Sequence, residues 1–264
     1  MTMAKSSIPW TDYTWNPISG CQKISPGCKN CYAERLTKRI GKSFSEIALH
    51  TDRFDYPFPE HPARKIFVGS MSDIMLAPFD YLLRIFDTIC HKRYTQHTFQ
   101  ILTKRPEILV EFDGNYININ YHKIWAGISA ENQEWFDKRI LALILTSFKI
   151  KWVSLEPLLD SIDLSQYIND LSWVVVGGET GPHARPMNPV WVRSIRNQCV
   201  AAGKPFFFKS WGEWAPVEQV KEIADTDHIT RLDNADHVRY IRLGVRHTGR
   251  MIDGKEWNQF PSET

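Results

Sequence analysis

The 264 residues include 32 Lys and Arg against 30 Asp and Glu, a formal charge of +2, and are 43% hydrophobic and 23% charged. Such a composition belongs to a globular chain with enough apolar residues for a full core, and the near-neutral balance gives no global case for a nucleic-acid binder. No apolar run approaches the roughly 20 residues that cross a bilayer, and the opening Met1 to Pro9 has no signal-peptide pattern, so a cytoplasmic, reducing location without a membrane partner is expected.

Taken in order, the chain first offers a short strand near Asp12 to Trp15, then a turn signal at Trp15-Asn16-Pro17. Three of the five cysteines follow within eleven residues, in Cys21-Gln-Lys-Ile-Ser-Pro-Gly-Cys28-Lys-Asn-Cys31, and Ala33 to Ile40 reads as a helix start. The segment Asp52 to Pro62 is a loop, because Pro57, Pro59 and Pro62 each restrict the residue before them. A rhythm then begins. Lys65–Ser70, Thr98–Thr103, Lys123–Ser129, Ile150–Leu155, Ser172–Gly177 and Lys204–Lys209 are short apolar runs that read as buried strands. Apolar residues at helical spacing lie between several of them, over Tyr81–Tyr94, from Pro106, over Gln133–Leu145 and over Pro189–Ala202.

Continuously apolar strands alternating with helices imply an α/β fold with a parallel sheet covered on both faces. Six or seven such units in this length predict a partial parallel TIM-like barrel over residues 1–211. A doubly wound sheet is the alternative, though its glycine-rich first turn is absent. From Gly212 the rhythm stops, and residues 212–264 read as a small β-containing cap or edge extension with an Asp253-Gly254 turn.

In parallel α/β architectures chemistry collects at the carboxyl ends of the strands. Here those ends are polar: Ser70, Ser72 and Asp73; Thr103, Lys104 and Arg105; Ser129, Glu131 and Asn132; Glu156; Gly177-Gly178-Glu179; and Lys209-Ser210-Trp211. Singly, each has an ordinary reading as a helix cap or a solvated side chain. Six polar strand ends together point to a ligand, since polar groups buried without partners are costly.

Three clustered thiols in a reducing compartment are metal ligands rather than disulfide partners. A structural zinc site wants four ligands, and the nearest histidines, His50 and His61, are not at finger spacing. A four-iron cluster takes one thiolate per iron, so Cys21, Cys28 and Cys31 would leave one iron open. Cys90 and Cys199 stand alone in apolar helical patterns and read as small buried hydrophobes.

The segment Asn16-Pro17-x-x-Gly20-Cys21, with Cys28-x-x-Cys31-Tyr32-Ala33, resembles the radical S-adenosylmethionine enzymes of the spore photoproduct lyase-like branch. Six residues separate Cys21 from Cys28, where the common pattern has three. A second resemblance spans nearly the whole chain. Ile8-Pro-Trp-Thr-Asp, Leu102-Thr-Lys-Arg-Pro, Gly127-Ile-Ser-Ala-Glu-Asn-Gln, Ser154-Leu-Glu-Pro-Leu, Gly177-Gly-Glu-Thr-Gly and Pro205-Phe-Phe-Phe-Lys are similar to the three-cysteine-motif proteins of phages and prophages, a family of unknown function.

These resemblances imply a [4Fe-4S] cluster on Cys21, Cys28 and Cys31, S-adenosylmethionine as the small-molecule cofactor, and an electron-donor protein as partner. By position Ser70, Ser72 and Asp73 would meet the methionine amino group and Thr103 and Lys104 its carboxylate. Ser129, Glu131 and Asn132 would meet the ribose, and Tyr32 would lie beside the adenine. Glu156, Glu179 and Lys209 are the catalytic candidates, with Arg185 and Trp211 facing the substrate. A phage-type enzyme of this kind would modify a nucleobase or nucleotide, with nucleic acid as a partner. Arginines 231, 239, 242, 246 and 250 would then form a backbone-binding strip, or else a solvated edge that blocks sheet pairing. The competing classes are a non-catalytic zinc-binding interaction module and an enzyme that uses the cluster without radical chemistry.

Overall fold

The computed structural model describes residues 4–54, 58, 62–115, 123–220, 231–233 and 237–262. Pro57, Pro59 and His61 of the sequence reading lie outside them.

The strands are β1 (Ala4–Lys5), β2 (Tyr13–Trp15), β3 (Ile18–Ser19), β4 (Ala48–Leu49), β5 (Lys65–Val68), β6 (Thr98–Thr103), β7 (Ile124–Ser129), β8 (Ile150–Leu155), β9 (Trp173–Gly177) and β10 (Phe206–Ser210). The helices are α1 (Tyr32–Arg39), α2 (Phe79–Cys90), α3 (Pro106–Asn115), α4 (Gln133–Leu145) and α5 (Pro189–Ala201). An eight-stranded sheet has the order β1-β2-β5-β6-β7-β8-β9-β10. The order rises without reversing, which removes the doubly wound alternative, because that fold needs a point where strand order turns back. The β2–β5, β5–β6, β6–β7 and β9–β10 pairs are parallel, and β1 is an antiparallel edge. All six residues of β7 and all five of β9 are buried, as expected of strands covered on both faces.

The chain divides into two compact units. The first comprises Met1–Ile24, Ala33–Ile128 and Arg139–Trp152. In its core Trp10 meets Phe67 at 4.8 Å and Trp152 at 5.3 Å between ring centroids, and Phe86 stacks on Phe112 at 4.3 Å. Gly127 on β7 makes room for this packing, since a Cβ there would lie 2.4 Å from the Trp152 ring.

The second unit comprises Ser25–Tyr32, Ser129–Lys138 and Val153–Thr264. The segment after residue 211 packs within it. The Phe208 amide donates to the Trp257 carbonyl at 2.9 Å and the Gln259 amide to the Phe206 carbonyl at 3.2 Å, so the tail runs along β10. The expected β content takes the form of a three-stranded sheet, β11 (Trp214–Pro216), β13 (Arg239–Arg242) and β12 (Arg231–Asp233) in that order, and a hairpin of β14 (Met251–Ile252) with β15 (Lys255–Glu256). The hairpin turns at Asp253 (φ +52°) and Gly254 (φ +77°), the two positive dihedrals of a type I′ turn. Asp253 is held there by Arg193 and Arg196.

Strands β1, β3, β4, β11 and β12 have two or three residues each, too few to show a period in sequence.

Gly127→Ala is expected to destabilise the protein by about 1–3 kcal/mol through overpacking against Trp152. A urea midpoint equal to that of the parent would show that the ring yields freely.

Candidate functional site

The first part of the cysteine segment belongs to the first unit. Leaving β2, the Asn16 side-chain oxygen accepts bonds from the Ser70 hydroxyl at 3.1 Å and the Met71 amide at 3.0 Å. The Ser72 hydroxyl donates to the Gly20 carbonyl. Gly20 has φ +83°, and a Cβ there would fall 1.9 Å from the Glu46 carbonyl oxygen, so the residue before Cys21 must be glycine. The Cys21 amide donates to the Phe44 carbonyl at 2.7 Å, and one Arg105 nitrogen donates to the Gln22 carbonyl at 2.8 Å. Backbone bonds therefore hold Cys21 and both its neighbours.

Asp73 organises that arrangement. Its carboxylate is 7% exposed and accepts from the Thr103 hydroxyl (2.8 Å), the Met75 amide (3.2 Å), the Lys104 amide (3.0 Å) and the Arg105 guanidinium (3.0 Å). Ser70, Ser72, Asp73 and Thr103, expected to bind cofactor, are thus joined to one another's loops and to the cysteine lead-in. Lys104 contributes its backbone, whose carbonyl also accepts from Arg139 at 3.1 Å. Lys23, inside the unusual six-residue gap, pairs with Glu34 of α1 at 2.7 Å.

Cys28 and Cys31 belong to the second unit, and its carboxylates hold the residue before each. Fully buried Glu131 accepts from the Gly27 amide at 2.9 Å. The Arg185 guanidinium forks onto Glu179 and also donates to the Pro26 carbonyl at 3.1 Å. The Asn30 side-chain Nδ2 donates to Glu179 at 3.0 Å and to the His183 carbonyl at 2.7 Å. Burial acts to raise the Glu179 carboxyl, but the bonds from Arg185 and Asn30 outweigh it and leave it below its ordinary value.

Lys209 of β10 donates to Glu156 after β8, and each side chain keeps about a fifth of its surface exposed (22% and 21%). Tyr32 is pushed above the usual phenol range by burial, then by Cys31 and Glu156, although 39% of the residue's surface is exposed. Its phenol therefore stays protonated near neutral pH. The Ser129 hydroxyl donates to the Glu156 carbonyl at 3.3 Å. Asn132 caps α4 by accepting from the Trp135 amide at 3.1 Å, the ordinary reading of its type.

Two expectations change. Trp211 is 1% exposed, with its indole N–H on the Met251 carbonyl at 3.0 Å, so it is core rather than a substrate platform. The arginine strip is also partly consumed. Arg242 donates to the Gly181 and Pro182 carbonyls at 3.1 and 3.0 Å, and Arg250 lies 5.1 Å from the Phe207 ring centroid and bonds Asn258. Asn16, Asn30 and Arg105 are site residues to which the sequence assigned no role. Arg105 follows Lys104 and precedes a helix, and nothing local separates it from a solvated cation.

All five cysteines are thiols. Cys199 is pushed up to about 12 by burial, and Cys90 likewise by burial and then Asp87. Cys21, Cys28 and Cys31 are each half-buried. Among the described residues no three His, Cys, Asp or Glu side chains stand in a metal-holding cluster. The donor chemistry nonetheless fits a thiolate-seeking group, with three partly accessible sulfurs on firmly bonded backbone.

Residues 5–261 match the family described as protein of unknown function (DUF5131). The chain belongs to that family. No curated protein matches. Among solved structures, spore photoproduct lyase complexed with dinucleoside spore photoproduct is similar at 13% identity and TM-score 0.47, covering 91% of this chain and 71% of that one. A mutant of that lyase with bound AdoMet and dinucleoside spore photoproduct is similar at 13% identity and TM-score 0.45, covering 91% and 71%. No helix among the family member's described residues is long and apolar enough to cross a membrane.

Alkylation of the native protein at pH 8 should label Cys21, Cys28 and Cys31 well before Cys199 and Cys90, because the thiolate reacts and a raised value keeps a thiol protonated. Peptide mass spectrometry reads the order, and equal rates at Cys199 and Cys28 would contradict the burial.

Proposed function

We propose that the protein is a radical S-adenosylmethionine enzyme on a partial parallel barrel. Cys21, Cys28 and Cys31 would hold a [4Fe-4S] cluster with one iron open to S-adenosylmethionine. When bound and reduced, that group supplies the electron that cleaves S-adenosylmethionine to methionine and a 5′-deoxyadenosyl radical able to remove a hydrogen atom from substrate. An electron-donor protein is the proposed partner. The supporting observation is how the cysteine segment is held: three half-buried cysteines lie beside residues bonded by side chains from the strand ends.

Within this scheme the chain's own residues divide their work. Asp73, with four donors on its oxygens, orients the Ser72 and Arg105 loops rather than offering an open carboxylate. Ser70 and Lys104 remain candidates for the methionine moiety, and Ser129 and Asn132 for the ribose. Tyr32 offers a ring face with a protonated hydroxyl. Glu156 and Lys209 form the candidate catalytic pair: they bond to each other and stay partly exposed, so a ligand can replace either partner. Lys209 would carry the proton at its Nζ and Glu156 would accept at its carboxylate. The proposed substrate class, a nucleobase or nucleotide, follows from the phage-family resemblance.

After anaerobic reconstitution, wild type should bind iron and sulfide, and with a reductant release 5′-deoxyadenosine, while Cys28→Ala should lose both. Zinc in place of iron, with no 5′-deoxyadenosine, would favour an interaction module instead. Lys209→Met should keep its iron and lower 5′-deoxyadenosine output by tenfold or more, within the range of proton-handling groups. Unchanged output would remove Lys209 from the chemistry.

A further inference from the structure

We infer that Glu131 and Glu179 are positioning residues that set the backbone of Cys28 and Cys31 before any metal arrives. The inference rests on reading those two thiols as ligands. In sequence both carboxylates look like ligand-binding or catalytic groups. In the structure Glu131 accepts from the segment's backbone at Gly27, and Glu179 accepts from the segment's Asn30 side chain and from Arg185, which in turn bonds the Pro26 carbonyl.

Five contacts carry this. Glu131, with no exposed surface, takes the Gly27 amide at 2.9 Å, one residue before Cys28. A Cβ on Gly27 would come within 3.1 Å of that carboxyl, so glycine permits the close seat. Glu179, 5% exposed, accepts from the side-chain Nδ2 of Asn30 at 3.0 Å, the residue before Cys31. Asn30 is also fixed by the His183 carbonyl at 2.7 Å. Arg185 donates both to Glu179 and, at 3.1 Å, to the Pro26 carbonyl. A buried carboxylate is costly unless its oxygens are satisfied, so the segment and the carboxylates stabilise each other. A Glu→Gln change keeps the size but removes the charge that makes these bonds strong.

The same geometry gives the six-residue gap a use. Its last two residues before Cys28, Pro26 and Gly27, are the ones gripped by Arg185 and Glu131. At the other end of the gap, the Gln22 carbonyl is gripped by Arg105.

The test is site-resolved alkylation of the metal-free full-length protein, read by peptide mass spectrometry. Glu179→Gln and Asn30→Ala should each raise the labelling rate at Cys28 and Cys31 by about tenfold, the order expected when a charge-assisted bond is removed from a local opening equilibrium. Cys21 should keep its parent rate. Arg105→Met should do the reverse, raising Cys21 alone. If Glu179→Gln fails to fold by circular dichroism, half-exposed Asn30→Ala decides. Unchanged rates at Cys28 and Cys31 in a folded variant, or an equal rise at Cys21, overturn the inference. Iron content and 5′-deoxyadenosine are measured separately. If the rates shift as expected but wild type binds no iron, the radical assignment falls while the positioning of the thiols stands.

Discussion

A buried carboxylate must be given donors, and the rest of the candidate site follows from how this chain supplies them. Asp73, Glu131 and Glu179 are each less than a tenth exposed. Removing one partner from such a group leaves an uncompensated buried charge, at a cost of about 3–5 kcal/mol. The donors come from neighbouring strand-end loops and from the cysteine segment. Arg105 and Arg185 play parallel parts in their respective units: each pairs with a carboxylate and spends a further N–H on a carbonyl of the segment. The electrostatics that satisfy the strand ends are therefore the same interactions that order the thiols.

This division narrows where chemistry can occur. A carboxylate with its strong acceptor positions filled by backbone amides and guanidinium groups is poorly placed to exchange them for a ligand. Glu156 and Lys209 differ, because their bond is mutual and partly solvated. Being partly open to solvent, the pair is accessible to recruitment by a ligand. Tyr32 connects the two roles, since its phenol feels both Cys31 and Glu156.

Much of the fold was legible in sequence. The apolar runs became β5 to β10 with ends shifted by a few residues at most, and Gln133–Leu145 became α4 as expected. Burial on both faces of a parallel strand demands an unbroken apolar run, and that demand is visible locally. The Asp253-Gly254 turn was legible for a similar reason, because positive φ at two successive residues selects those types. The short strands and the backbone anchors were not. Arg105 and Asn30 work by reaching residues 83 and 149 positions away, and no local pattern records such a partner.

The sequence by itself determined the α/β alternation, the three thiols close together in sequence and the polar strand ends, since each is written in residue type and short-range spacing. Only the tertiary structure decided what those polar ends do. It excluded a doubly wound sheet, placed Trp211 in the core, and turned Asp73, Glu131 and Glu179 towards the chain's own backbone. The physical reason is that a carboxylate's role depends on which donors fold around it, and those donors come from segments far away in sequence.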